Sequence, residues 1–181
     1  ERLLQGACTP ALVREVERTA EASALWATVE ASGYLELLIP EQGGAGLRDA
    51  FPLWLACGHH TLPVPLAQTM WARGVLAAAG ADVPAGPIAL AAAAHRQADG
   101  ALHCAGVPFG AVAQSLLLKT PEGELLCVPL TAAQVQRGGV HGSLQAHIVL
   151  SVLQADAWRL PNSIDLQAAG DAARWRHGDD Q

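Results

Sequence analysis

Seven residues, Ala81-Asp82-Val83-Pro84-Ala85-Gly86-Pro87, divide this chain into two stretches with different hydrophobic periods. Two prolines and a glycine in so short a segment interrupt both helix and strand, so it reads as a linker. Before it, apolar residues recur at helical spacing; after it, short apolar runs alternate with turn-forming residues. The expected fold class is therefore α+β: a helical domain over residues 1–80, the linker at 81–87, and a small antiparallel β-barrel or sandwich over 88–160. A C-terminal helix or tail follows over 161–181, with Asp165 to Arg176 as its helical part.

Within the first stretch, Thr9-Pro10 is a start signal, a capping hydroxyl followed by proline at the first helical position. Leu12, Val13, Val16, Ala20, Leu25 and Val29 continue from it, which predicts one helix through Ser32 with Gly33 closing it. A second helix is expected from Asp49 to Cys57, ending at Gly58, and a third from Pro65 to Ala79, ending at Gly80. In the second stretch the strand candidates are Ile88–Ala93, Ala101–Val107, Val112–Lys119, Glu124–Leu130 and Leu144–Val152. Asp99-Gly100 and Glu122-Gly123 stand between adjacent runs as hairpin turns do. Leu144, Ala146, Ile148 and Leu150 alternate with Gln145, His147, Val149 and Ser151, the mark of a strand with one wetter face.

Composition narrows the function classes. With 51% apolar and 15% charged residues, the chain has ample material for a core and none of the bias of a disordered segment. Its net charge of −6 and its scattered basic residues argue against nucleic acid or an anionic membrane as partner. No apolar stretch reaches membrane-spanning length and no secretory signal is visible, so a soluble, cytoplasmic protein is expected. Lys119 is the only lysine among the eleven basic residues, and alanine is abundant, a bias that suggests a GC-rich bacterial genome. Cys8, Cys57, Cys104 and Cys127 form no C-x-x-C pair and read as small buried hydrophobes.

Several constellations invite chemistry. Gly43-Gly44-Ala45-Gly46 matches neither a dinucleotide-binding fingerprint nor a lysine-bearing phosphate loop, so a tight turn between helices is preferred to a phosphate cradle. His59 and His60 are adjacent, and neighbours on a helix point about 100° apart. They are expected to serve the helix end rather than a metal. His103, His141 and His147 fall in separate segments, and no metal site is expected from them. Ser143, Ser151 and Ser163 lack the glycines of a nucleophile elbow. The five tryptophans are core or interface anchors, with Trp54 and Trp71 the ones placed to meet a further domain or partner.

Gly33-Tyr34-Leu35-Glu36-Leu37-Leu38-Ile39-Pro40-Glu41-Gln42-Gly43-Gly44-Ala45-Gly46-Leu47 resembles the N-terminal domain of acyl-CoA dehydrogenases, where an apolar segment leads into Pro-Glu-x-x-Gly-Gly-x-Gly. The phrase here is one residue shorter. Leu55 to Leu66, with its Pro63-Val64-Pro65, resembles the next helix end and turn, and Leu76 to Gly80 the helix end before the family's β domain. The order of helices, linker and strands extends the likeness to about Leu160.

That resemblance implies FAD-dependent oxidation of an acyl-CoA thioester, with FAD as cofactor, acyl-CoA as ligand and a homo- or hetero-oligomer with a family-like partner. It also implies a catalytic glutamate from a C-terminal helical domain that has no counterpart here. No catalytic residue is therefore assigned, and Glu41 matches a loop position rather than the base. The family's hydroxyl-bearing flavin phrases are replaced by Ala89-Leu90-Ala91-Ala92-Ala93-Ala94-His95 and by Gly106-Val107-Pro108-Phe109-Gly110-Ala111. Gly106 and Phe109 are what remains as cofactor-contact candidates, with core packing the alternative for Phe109. The expectation is an acyl-CoA dehydrogenase-like fragment or degenerate subunit; the alternative is a non-catalytic interaction or scaffold protein that keeps only the fold.

Overall fold

A computed structural model describes residues 2–39, 45–139, 143–151 and 158–160. Helices come first: α1 (Arg2–Ala7), α2 (Pro10–Thr19), α3 (Ser23–Glu30), a 3₁₀ turn (Tyr34–Glu36), α4 (Leu47–His59) and α5 (Leu66–Ala78). Strands follow as β1 (Ile88–Ala91), β2 (His95–Arg96), β3 (Leu102–Val107), β4 (Ser115–Lys119), β5 (Leu125–Pro129), β6 (Gln134–Arg137), β7 (Ala146–Leu150) and β8 (Trp158–Leu160). The α+β class and the helices-then-strands order stand as expected. The expected C-terminal helix, Glu41 and His141 lie outside the described residues.

The single helix expected from Pro10 to Ser32 is two helices. Thr9 caps α2 as read from sequence, its Oγ1 accepting the Leu12 N–H at 3.3 Å. Ala20 then takes a left-handed φ of 58° and its N–H reaches the Val16 carbonyl at 2.7 Å. Thr19 Oγ1 accepts from Glu21 N–H, and the Glu21 carboxylate accepts from the Ser23 N–H, so side chains hold the corner. The reason is facial. Nine residues at about 100° each put Leu25 half a turn away from Val16 in a continuous helix, yet both are buried. The break lets each face its own neighbours.

The second helix is also longer than expected. Gly58 lies inside α4, and the left-handed closing residue is Thr61, φ 50°. The Leu62 N–H returns to the Cys57 carbonyl at 2.9 Å and the Thr61 N–H to the Gly58 carbonyl at 3.1 Å, the paired bonds of a Schellman end. The same pair at the end of α5 uses Gly80, φ 66°, as the sequence predicts.

The strands build two four-stranded sheets, ordered β1-β4-β5-β8 and β2-β3-β7-β6. Neither closes into a barrel, which corrects that part of the expectation. A second correction concerns β1 and β4, which pair in parallel because the chain crosses to the other sheet and back between them. The two sheets share a core of Leu102, Cys104, Ile148 and Leu150 on one side and Leu116, Leu118, Leu126 and Val128 on the other. Leu117 and Cys127 point the opposite way, against Ala72, Val75 and Leu76 of α5. The first sheet is thus covered on both faces, which is why Ser115–Lys119 and Leu125–Pro129 read as apolar runs without alternation. Each large aliphatic side chain buried there contributes about 1.5–3 kcal/mol.

Helix α5 also closes the edge of β1. Thr69 Oγ1 accepts the Ile88 N–H at 2.9 Å and donates to the Ile88 carbonyl at 3.2 Å, while Gln68 Oε1 accepts the Leu90 N–H at 3.1 Å. These bonds occupy outward groups of an edge strand that would otherwise be open to pairing with another strand. On its other side α5 carries buried Arg73, paired with Glu36 at 2.7 Å and Glu30 at 3.1 Å. Gly74 lets the helix approach this corner: a Cβ there would stand 3.0 Å from that of Leu38.

Candidate functional site

The seam between the helices and the sheets carries a cleft about 390 Å³ in volume. Its helical wall is the end of α4 and the turn into α5, with Trp54, Cys57, Thr61 and the Pro63-Val64-Pro65 turn; its sheet wall is Phe109 with Leu144. Glu17 of α2 stands at its margin. Arg137 of β6 steadies that margin by donating to the carbonyls of Glu17 and, at 2.9 Å, Arg18, the open carbonyl end of α2.

Phe109 is held there by a turn that a phenylalanine ordinarily avoids. Gly110 N–H bonds the Val107 carbonyl at 3.1 Å, making a four-residue turn with Pro108 in its second position and Phe109 in its third. Phe109 has φ 59°. A turn of that kind takes proline in the second place and glycine in the third, so the bulky residue is strained. Thr61 is the parallel case on the opposite wall, a β-branched residue with positive φ. Three non-glycine residues among those described have positive φ, and two of them line this one cleft. Each serves a local turn, Thr61 the end of α4 and Phe109 the loop after β3, and both turns border this cleft.

Gly106 serves the same loop differently. Two β3 residues between Cys104 and Val107 oppose one on β7, a bulge made by Ala105 and Gly106 with Gly106 at φ 62°. The Gly106 carbonyl accepts Gln145 Nε2 at 2.8 Å. Gln145, Ser143 and Pro108 line a second hollow of about 230 Å³ that shares Phe109 and Leu144 with the cleft. The structure therefore brings the two sequence candidates to one end of the sandwich, Phe109 as wall and Gly106 as the backbone device behind it.

The lining is mostly apolar, and its polar members are few: Glu17, Thr61 and Gln68, the last already engaged with β1. Cys57 brings no thiolate, since burial pushes its thiol up to about 11. Burial likewise raises Cys8, and takes Cys104 to about 11 and Cys127 to about 12. The Trp54 Nε1–H is buried without a partner among the described residues, as is that of Trp26 in the helical core. Trp54 and Trp71 are both half-buried within this chain, Trp54 against the helical core and Trp71 against the α5–sheet core.

Elsewhere, residues 40–44 of the glycine loop lie outside the described residues; beside them the Ala45 N–H bonds the Leu37 carbonyl at 3.3 Å. His59 ends α4 and His60 caps it, their rings 5.0 Å apart and edge to face. Among the described residues no group of three or more His, Cys, Asp or Glu side chains is arranged to hold a metal ion. No described helix is long and apolar enough to cross a membrane. Sequence reasoning missed Thr61, Gln68 and Glu17 as lining residues. Thr61 had a signal, since a helix reaching His60 needs a left-handed residue next; Glu17 had none, being one of several acids on the wet face of α2.

Comparison with protein-family models, with curated proteins and with solved structures returns no match to this chain. The acyl-CoA dehydrogenase resemblance thus rests on the motifs and on the order of elements.

FAD is the cofactor that resemblance implies, and the chemistry of the cleft lining matches only part of such a group. A flat apolar ring suits the lining. A pyrophosphate does not, because among the described residues no Lys or Arg lines the cleft and Glu17 supplies like charge. No step is therefore derived through a flavin on this chain.

Proposed function

We propose that this is an acyl-CoA dehydrogenase-like polypeptide whose cleft holds the acyl portion of a thioester, with the nucleotide end outside it. The observation that carries this reading is the pair of strained residues, Thr61 and Phe109, on facing walls of an apolar cleft at the helix–sheet seam. A volume near 390 Å³ is of ligand size, and the apolar lining suits a hydrocarbon chain rather than a charged group. The reading gives this chain binding and orientation of the thioester. It assigns the α-proton base to no residue here, and any flavin pyrophosphate needs donors from a partner.

The test exploits the strain. Phe109→Gly relieves a left-handed phenylalanine, so the variant is expected to melt at a higher temperature than the parent, by an amount equivalent to about 1 kcal/mol. A medium-chain acyl-CoA in excess is expected to raise the melting temperature of the parent and not of Phe109→Gly, because a ligand stabilises only the state it binds. An acyl-CoA shift of equal size in both proteins, or none in the parent, counts against the reading.

The second reading, a non-catalytic interaction protein, draws on α4. Phe51 and Leu55, one turn apart on that helix, are 56% and 60% exposed. It gains if neither acyl-CoA nor FAD changes the melting temperature while Phe51→Ser with Leu55→Ser changes the oligomeric state.

A further inference from the structure

Outside the cleft, the outer face of the second sheet carries a pair of imidazoles that the proposed function does not use. His103 on β3 and His147 on β7 are diagonal neighbours across an antiparallel ladder in which His103 faces Val149. Their inward neighbours Cys104 and Ile148 are fully buried, so the backbone beneath both rings is fixed by the sandwich core. His147 Nε2 lies 3.4 Å from His103 Nδ1, and the ring centroids are 5.4 Å apart with planes inclined at 70°. That nitrogen separation is long for a hydrogen bond between neutral rings.

It is the right length for something else. Two imidazoles on one tetrahedral ion, with metal–nitrogen bonds of about 2.0–2.1 Å, have their nitrogens about 3.4 Å apart and their ring centres about 5 Å apart. The inclination of the planes is no obstacle, because each ring offers its lone pair in its own plane. The nitrogens that converge differ, Nε2 of one ring and Nδ1 of the other, and either is a competent ligand. His147 faces Gln136 on β6 and His103 faces His95 on β2, both across the ladders and neither cationic by nature as Lys or Arg is.

From this geometry we propose that His103 and His147 form a two-imidazole site for a divalent transition-metal ion of the Zn²⁺ or Cu²⁺ class. The other coordination positions are open to water, since no third ligand is arranged beside the pair among the described residues. Imidazole donors select these ions over Mg²⁺ and Ca²⁺, which take oxygen. The site stands on the sheet face away from the sandwich core, so it is independent of the acyl-binding reading.

The experiment is calorimetric titration of the full chain with Zn²⁺ alone, repeated on His103→Gln, His147→Gln and the double variant His59→Gln/His60→Gln. The expected result is one saturable site, weakened at least about tenfold in either of the first two variants and retained in the third. Binding that is absent in the parent, unchanged in the first two variants, or lost with His59 and His60 overturns the proposal. Because a variant that misfolds loses binding for another reason, Cu²⁺ bound to the parent is also read by electron paramagnetic resonance. Coupling to two imidazole nitrogens is expected, and one or none contradicts the site.

Discussion

Ala20, Thr61 and Phe109 do work that glycine does at the other left-handed positions, and they divide by what surrounds them. Ala20 closes α2 and is not among the residues lining the cleft. Ala20→Gly is expected to stabilise the protein by roughly 0.5–1 kcal/mol, measured by denaturant unfolding, the left-handed cost to alanine exceeding the entropy that glycine adds to the unfolded chain. A second residue-scale prediction concerns Glu122. Its hydrogen bonds to Arg96, at 2.8 and 2.9 Å, are the main cause that holds its carboxyl down to about 2. A depressed carboxyl contributes stability that is fully present above the ordinary carboxylate range and is lost as the pH falls toward about 2. A carboxyl-carbon NMR titration is expected to show the low midpoint in the parent and a return toward the ordinary range in Arg96→Ala; the pair is exposed and salt weakens it.

At the scale of elements, what was legible in the sequence follows from whether an element has two environments or one. β7 alternates because one face is core and the other is wet, and its period gave it away. β3 and β4 showed as apolar runs between the glycine turns at Gly100 and Gly123, both with positive φ, and β5 as the run after the second. β6, Gln134 to Arg137, was invisible because all four residues are exposed at a sheet edge, and β2 has only two residues. The break between α2 and α3 was readable in principle from the half-turn offset between Val16 and Leu25, but three-residue corners leave little compositional trace. The linker gave no hint that α5 would clamp β1. That clamp has its own prediction: Thr69→Val keeps the shape but leaves the buried Ile88 N–H without its acceptor. A loss of about 1–3 kcal/mol is expected by denaturant unfolding, and slower amide exchange at Ile88 in the variant than in the parent is the result that speaks against it.

For the molecule as a whole, three apolar clusters mark the layers: the helical core, the α5–sheet core and the sandwich core. The cleft lies where the helical core meets the sandwich, and Arg137 on the α2 carbonyls is a polar tie across the same seam. Of the cleft's lining, Phe109 and the Pro63-Val64-Pro65 turn are the parts that the family resemblance singled out. The sequence did not disclose that they face each other, because that depends on the bulge at Gly106 and the fold-back of residues 108–114. Above all, we propose that this seam binds an acyl thioester. The most direct measurement is a two-dimensional ¹H–¹⁵N spectrum of the parent during titration with a medium-chain acyl-CoA. Saturable shifts are predicted at the Trp54 indole N–H, which has no hydrogen-bond partner among the described residues, and at the Thr61, Phe109 and Leu144 amides. Shifts confined to other surfaces, or no saturable shifts at all, would contradict it.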